Sequence, residues 1–239
     1  MSAPLASLDG RVIAVAGAAG NLGPTVVRRL AAAGAVLSLA GRRASELEEL
    51  AAELGGGHDT AAVDLLDEPA TRAWADGLVA RHGRVDGLVH LVGGWRGGTA
   101  IEDAGLEDWD WLQALLVRTL QHTTRAFLPH LLASGHGRVV AIAAAQAQAP
   151  THPNASYAAA KAAADAWVLA LADRFRGSRS TANLVVVGAI VTPAMRAAEP
   201  QRDFSTFTPA EEIAEAVAFL ASDAASSMNG QRVTLRGAA

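Results

Sequence analysis

The chain has 239 residues, 51% hydrophobic and 18% charged, with a formal net charge of −4. That balance lacks the basic face nucleic acid requires, and glycine, arginine or aspartate interrupts every apolar run before it reaches the length of a membrane span. Cysteine is absent, which excludes disulfides, thiolate metal sites and a cysteine nucleophile.

The first segment, Met1 to Asp9, lacks the charged-then-apolar plan of a secretory signal, so a cytoplasmic protein is expected. Val12 to Ala16 reads as a strand that ends in the turn Gly17-Ala18-Ala19-Gly20-Asn21-Leu22-Gly23, followed by a helix over Thr25 to Ala33. Val36 to Ala40 is a second strand, and Ser45 to Leu54 a helix with Ser45 as its cap. Thr60 to Val63 and Pro69 to Arg81 repeat the strand-helix alternation, and Val85 to Val92 is a fourth strand ending in Gly93-Gly94. A long helix is predicted from Leu106 to about Leu132, then a strand over Arg138 to Ala143 and a helix over Asn154 to Phe175. Thr181 to Val187 is a β-branched strand, Pro209 to Leu220 is helical, and Gln231 to Leu235 is the last strand. Seven strands alternating with helices predict an α/β fold, a doubly wound parallel sheet with helices on both faces. No linker or repeat divides the chain, so residues 1–239 read as a single domain. Its least regular part, Thr192 to Thr208, is a candidate substrate lid at the carboxyl edge of the sheet.

Scarcity singles out two residues. Tyr157 is the only tyrosine and Lys161 the only lysine, in a chain whose other basic side chains are all arginine. A lysine placed at random falls four residues after the tyrosine about once in 240 chains, and in a helix that spacing sets both on one face. A phenol ionises near pH ~10, and a neighbouring ammonium favours the phenolate. The pair is therefore suited to proton transfer.

The glycine turn after the first strand brings backbone amides and a helix N-terminus to a pyrophosphate, with Gly17, Asn21, Leu22 and Gly23 as candidate contacts. The acidic residue that would bind the ribose hydroxyls of NAD is expected about 20 residues on, but Gly41-Arg42-Arg43 stands there. Guanidinium groups suit a 2′-phosphate, so NADP(H) is preferred and NAD(H) remains possible; the plainer reading of Arg42 and Arg43 is a solvated pair at a helix start. Asp64, followed by Leu65, is placed for the adenine amino group, although a simple turn aspartate has the same sequence appearance. The seven histidines show no metal-ligand spacing, so no metal is expected.

The order of Leu8-Asp9-Gly10-Arg11, the Gly17–Gly23 turn, Asp64, Gly93-Gly94, Tyr157-x-x-x-Lys161, Gly188-x-x-x-Thr192-Pro193 and Asn229-Gly230-Gln231 resembles the short-chain dehydrogenase/reductases over nearly the whole chain. The resemblance implies hydride transfer to or from a nicotinamide, with Tyr157 as general acid/base. It implies that Lys161 lowers the tyrosine's pKa and holds the nicotinamide ribose, and that Gly93, Gly188, Ile190 and Thr192 border the cofactor. Two positions depart from the family pattern: Ala144 stands where its serine is usual, and Leu116 where its asparagine is usual. Losing such a donor to a developing oxyanion typically costs ~2.7–4 kcal/mol in the transition state.

Two segments are more closely similar to the quinonoid dihydropteridine reductases, which also lack the serine. These are Gly93-Gly94-Trp95-Arg96-Gly97-Gly98, and Thr192-Pro193 followed by Pro200-Gln201-Arg202-Asp203-Phe204-Ser205-Thr206-Phe207-Thr208-Pro209. Arg42 departs from that subgroup, which typically carries an aspartate there. On this resemblance the expected activity is reduction of a planar conjugated C=N or C=O group, a small-molecule substrate. Trp95 would wall the substrate, Phe204 would cover it, and Ala144, Gln146 and His152 are further candidates to face it. Gln146 is the first candidate to replace the missing serine donor. An ordinary ketoreductase of secondary metabolism is the alternative enzyme, and a dinucleotide-binding protein without turnover the alternative outside catalysis; that last role needs no proton donor. Trp109 and Trp111 read as packing or subunit-contact residues. Alanine-rich faces on the two long helices suit a homo-oligomer, a dimer or tetramer.

Overall fold

Alternation along the first strand sets the layering. In β1 (Val12–Ala16), Ile13 and Val15 face one hydrophobic core while Val12, Ala14 and Ala16 face another, as the two-residue period of a strand requires when both sheet faces are covered. The computed structural model describes residues 6–235. Around β1 lie β2 (Val36–Gly41), β3 (Asp59–Ala62), β4 (Gly87–His90), β5 (Arg138–Ala144), β6 (Thr181–Val187) and β9 (Arg232–Thr234). They form one seven-stranded sheet in the order β3-β2-β1-β4-β5-β6-β9, every pairing parallel. The order reverses between β1 and β4, and the crevice beyond their carboxyl ends is where such sheets bind ligands.

One core packs α1 (Gly23–Ala32), α2 (Ala44–Glu53) and α8 (Ala210–Ala221) on the sheet through Val26, Leu30, Leu47 and Ile213. The other packs α3 (Glu68–His82), α5 (Thr119–Ser134) and α6 (Ala155–Arg174) through Trp74, Phe127, Val168 and Leu171. The predicted doubly wound α/β architecture is thus the observed one.

Local details differ from expectation. Ser45 does not cap α2: the helix starts at Ala44, with Arg43 at the cap position and no side-chain cap bond. The long predicted helix consists of α4 (Leu106–Leu112), a π-helical turn over Gln113–Arg118, and α5, because the backbone widens by one residue around Leu116. The Thr192–Thr208 segment holds more structure than its composition suggests. It contains α7 (Pro193–Ala198), and β8 (Phe207–Pro209) pairs in parallel with β7 (Ala189–Val191), which fastens both ends of the segment together. Among the described residues no helix is long and apolar enough to cross a membrane.

Candidate active site

The turn after β1 requires glycine for two separate reasons. Gly17 has φ +82°, and a Cβ there would stand 3.0 Å from the Val92 backbone nitrogen. At Gly23 a Cβ would fall 2.0 Å from the Ala18 carbonyl oxygen, so only glycine lets α1 start this close to the turn. No side chain caps α1, while Asn21 stays exposed and Leu22 buried beneath it. A tight turn, an uncapped helix start and an exposed arginine nearby fit a dinucleotide phosphate group.

The two arginines separate. Arg43 is engaged by Glu46 and lies 3.5 Å from the Ala19 carbonyl oxygen, whereas exposed Arg42 has no ion-pair partner among the described residues. Asp64 is a turn aspartate in part: one carboxylate oxygen accepts from Leu66 N at 3.0 Å. Leu65 is buried, and its carbonyl lies 3.0 Å from Nδ1 of buried His122 on α5, which ties the chain after β3 to the helix it packs with in the same core.

Tyr157 and Lys161 lie on one face of α6, with the half-buried phenol packed by Leu112, Leu116 and Ala160. Lys161 is buried, and its Nζ donates to the Ile142 carbonyl of β5 at 3.0 Å. Burial pulls its pKa down to about 8, opposed by the charge of Asp165. Burial pushes the Tyr157 phenol up to about 12. Desolvation governs the phenol here, and the lysine's Nζ is taken up by the Ile142 carbonyl. At the end of β4, His90 is held neutral, its pKa near 3 through burial and the Lys161 charge. Its ring sits 3.1 Å from the Thr123 hydroxyl of α5.

On the substrate side, Ala144 is buried at the carboxyl end of β5, paired with Val187 just before exposed Gly188. Gln146 follows, half-buried in a short 3₁₀ turn. Trp95 is 57% exposed, and its indole N–H donates to Asn154 Oδ1 at 3.3 Å. The glycine loop is pinned from below: Arg96 stacks over Trp111 at 4.2 Å, and Gly98 N donates to Pro153 O at 2.7 Å. Asn154, which sequence reasoning missed, therefore joins the Trp95 loop to the start of the Tyr157 helix. Ile190 lies in β7, half-buried, and Thr192 caps α7 by accepting from Met195 N at 3.2 Å.

Two candidates are placed differently from expectation. Phe204 is only 8% exposed, and its ring meets Phe207 edge-on at 5.2 Å with Arg196 and Arg202 over it. It forms the small core of the segment itself, because an exposed phenyl would forfeit that burial. His152 is exposed and opens on a hollow of about 370 Å³ along Ala155, Ala159 and Ala162, which Tyr157 and Lys161 do not line. Proline on either side, at 150 and 153, turns it to that flank.

Residues 17–237 match a family model described as enoyl-(acyl carrier protein) reductase. The D-threitol dehydrogenase of Mycolicibacterium smegmatis is 31% identical over 96% of this chain and 93% of the relative. A short-chain type dehydrogenase/reductase from Mycobacterium ulcerans superposes with TM-score 0.87 at 26% identity, covering 96% of this chain and 89% of that one. The 3-ketoacyl-(acyl-carrier-protein) reductase from Brucella melitensis, solved with NADH, gives TM-score 0.87 at 25% identity over 97% and 98% of the two chains. Glycine turn, Tyr-Lys helix and sheet order agree with these likenesses: the chain belongs to the short-chain dehydrogenase/reductase family of NAD(P)-dependent oxidoreductases.

Proposed function

We propose that the protein is an NADPH-dependent reductase of planar conjugated C=N or C=O groups, with a dihydropterin-like ring as the type of substrate. A nicotinamide bound at the glycine turn would supply the hydride for the substrate. Tyr157 gives its hydroxyl proton to the nitrogen or oxygen, and Lys161 holds the nicotinamide ribose. Burial pushes the phenol up to about 12, so the hydroxyl carries its proton at neutral pH. Arg42, free of any carboxylate among the described residues, is the group for a 2′-phosphate. Asp64 and Leu65 would hold the adenine, and Gly93, Gly188, Ile190 and Thr192 the nicotinamide end. The segment over residues 192–208 would act as the lid. Exposed Ala159, Ala162 and Ala163 on α6, with exposed Ile101 and Leu106 beside the same layer, support assembly with a second copy.

Two features together carry this reading: an alanine buried at position 144, where a hydroxyl donor is usual, and an exposed Trp95 in the glycine loop after β4. Hydride addition to an isolated ketone concentrates charge on one oxygen, where a second donor helps; addition to a conjugated ring spreads it, and one tyrosine suffices. Trp95 offers such a ring a face for stacking worth roughly 0.5–1.5 kcal/mol beyond burial. Specificity constants for a quinonoid dihydropterin and an aliphatic ketone, in wild type and Ala144→Ser, test it. Wild type is expected to prefer the planar substrate, and the serine to improve ketone reduction selectively. A wild-type preference for the ketone would overturn the reading. It would favour ordinary ketoreduction instead, with Gln146 as the replacement donor, the chemistry named for the ketoacyl reductase that shares this fold.

A further inference from the structure

Asp165 stands one helical turn beyond Lys161, and nothing in the proton-transfer scheme uses it. Its side chain is buried to 1% exposure in an α6 otherwise rich in alanine. One carboxylate oxygen lies 3.2 Å from Arg232 Nε on β9, the last strand of the sheet. The other, Oδ1, is buried with no hydrogen-bond partner among the described residues. An unpaired carboxylate oxygen out of water is costly, and alanine at this helical position would avoid that cost. The residue needs a role that apolar packing cannot fill.

The surroundings of Lys161 supply that role. A buried ammonium requires an opposite charge, and among the described residues the elements packed against α6 offer one; α5, joined to α6 where Trp167 donates to Thr124, carries His122, Arg125 and His130 but no carboxylate. β5 carries a single charged side chain, Arg138, at its amino-terminal end, and β6 carries none. His90 on β4 is neutral, and Tyr157, on α6 itself, is a protonated phenol. On α4 and the π turn, Glu107, Asp110 and Arg118 are exposed, and Asp108 is paired with Arg96. His152, before α6, is exposed as well. The remaining carboxylate is Asp165, which shares the helix face of Lys161 at the i+4 spacing; burial pushes its carboxyl up, and the Arg232 contact and the Lys161 charge oppose that and favour the charged form.

We propose that Asp165 is the positioning residue for Lys161: its buried carboxylate, braced by Arg232, is the counter-charge that keeps the lysine an ammonium beside Tyr157. The inference rests on the assignment of Tyr157 and Lys161 as the proton-transfer pair. It also gives the last strand a link to the site, since Arg232 reaches the lysine only through Asp165. Asp165 touches neither substrate nor cofactor and acts through the lysine alone. Loss of the carboxylate should let burial lower the lysine's pKa further, so that the ammonium is lost at a pH where wild type retains it.

Lys161 is the only lysine, so protein grown with lysine 13C-labelled at Cε shows one lysine resonance, and its titration reads this group without cofactor or substrate. Wild type is expected to titrate near pH 8. Asp165→Asn should titrate lower by about one pH unit or more, and Asp165→Glu should restore most of the difference. Turnover in the reductive direction should follow: the alkaline limb of the Asp165→Asn pH profile moves down with the lysine, while turnover at pH 6 stays near wild type. An unchanged lysine midpoint, or an equal loss of turnover at every pH, overturns the proposal. If Asp165→Asn does not fold, the carboxyl carbon of Asp165 in 13C-labelled wild type must show a step at the lysine's midpoint, and a flat trace there is equally fatal. The labelled titration involves no catalysis, so it fails or succeeds independently of whether Tyr157 proves to be the proton donor.

Discussion

Arg42 and Arg43 are neighbours with different availability. Arg43 is committed to Glu46 within the first turn of α2, while Arg42 extends from the end of β2 with its fork unpaired among the described residues. Arg42→Ala should therefore weaken NADPH binding by about tenfold or more and leave NADH binding nearly unchanged, since a charge-assisted bidentate contact is worth more than ~1.4 kcal/mol. Titration of both cofactors into wild type and variant checks this; equal losses would show that Arg42 does not meet the phosphate. At this scale the sequence is legible where a residue type is scarce or its spacing is chemical, as for Tyr157, Lys161 and the glycine turn. It is silent where meaning depends on a partner distant in the chain. Asp165 on α6 needs Arg232 on β9, Asn154 needs Trp95 across two loops, and His90 needs Thr123 on α5 before any of them shows a contact to reason from.

At the scale of elements, alternation and apolar runs place all seven strands of the main sheet: the inner strands are buried on both faces and leave a plain hydrophobic signature, while the half-exposed edge strands β3 and β9 are read from their place in the strand-helix alternation. The Thr192–Thr208 segment escapes that logic. Its order comes from three-residue strands and a two-phenylalanine core, each too short to produce a period. The π turn around Leu116 is invisible for the opposite reason: an extra residue inside a long helix does not disturb the apolar pattern on either side. Phe204 forms the small core of this segment, so Phe204→Ala should loosen it and, if the segment covers substrate as proposed, affect substrate only as a consequence. The expected result is faster amide exchange confined to residues 193–207, a Michaelis constant raised several-fold and cofactor affinity little changed. Exchange as slow as wild type would place this segment's stability elsewhere.

Across the whole molecule, two hydrophobic cores clamp a parallel sheet whose carboxyl edge gathers the glycine turn, Gly93, Ala144, Gly188 and the Tyr157 helix from segments far apart in the chain. The amino-terminal edge carries a different load. There Asp86 accepts from Val12 N and Arg84, and buried Arg138 donates to the carbonyls of Arg179 and Ser222, which fixes β1, β4 and β5 without touching the site. The proton donor proposed at the opposite edge is Tyr157. That donor is the central claim, and Tyr157→Phe tests it most directly, since the substitution keeps the ring packed against Leu112, Leu116 and Ala160 and removes only the hydroxyl. Turnover measured beside cofactor affinity should fall by about a hundredfold or more with cofactor binding unchanged, the range expected for loss of a general acid. Turnover close to wild type in that variant would contradict the account.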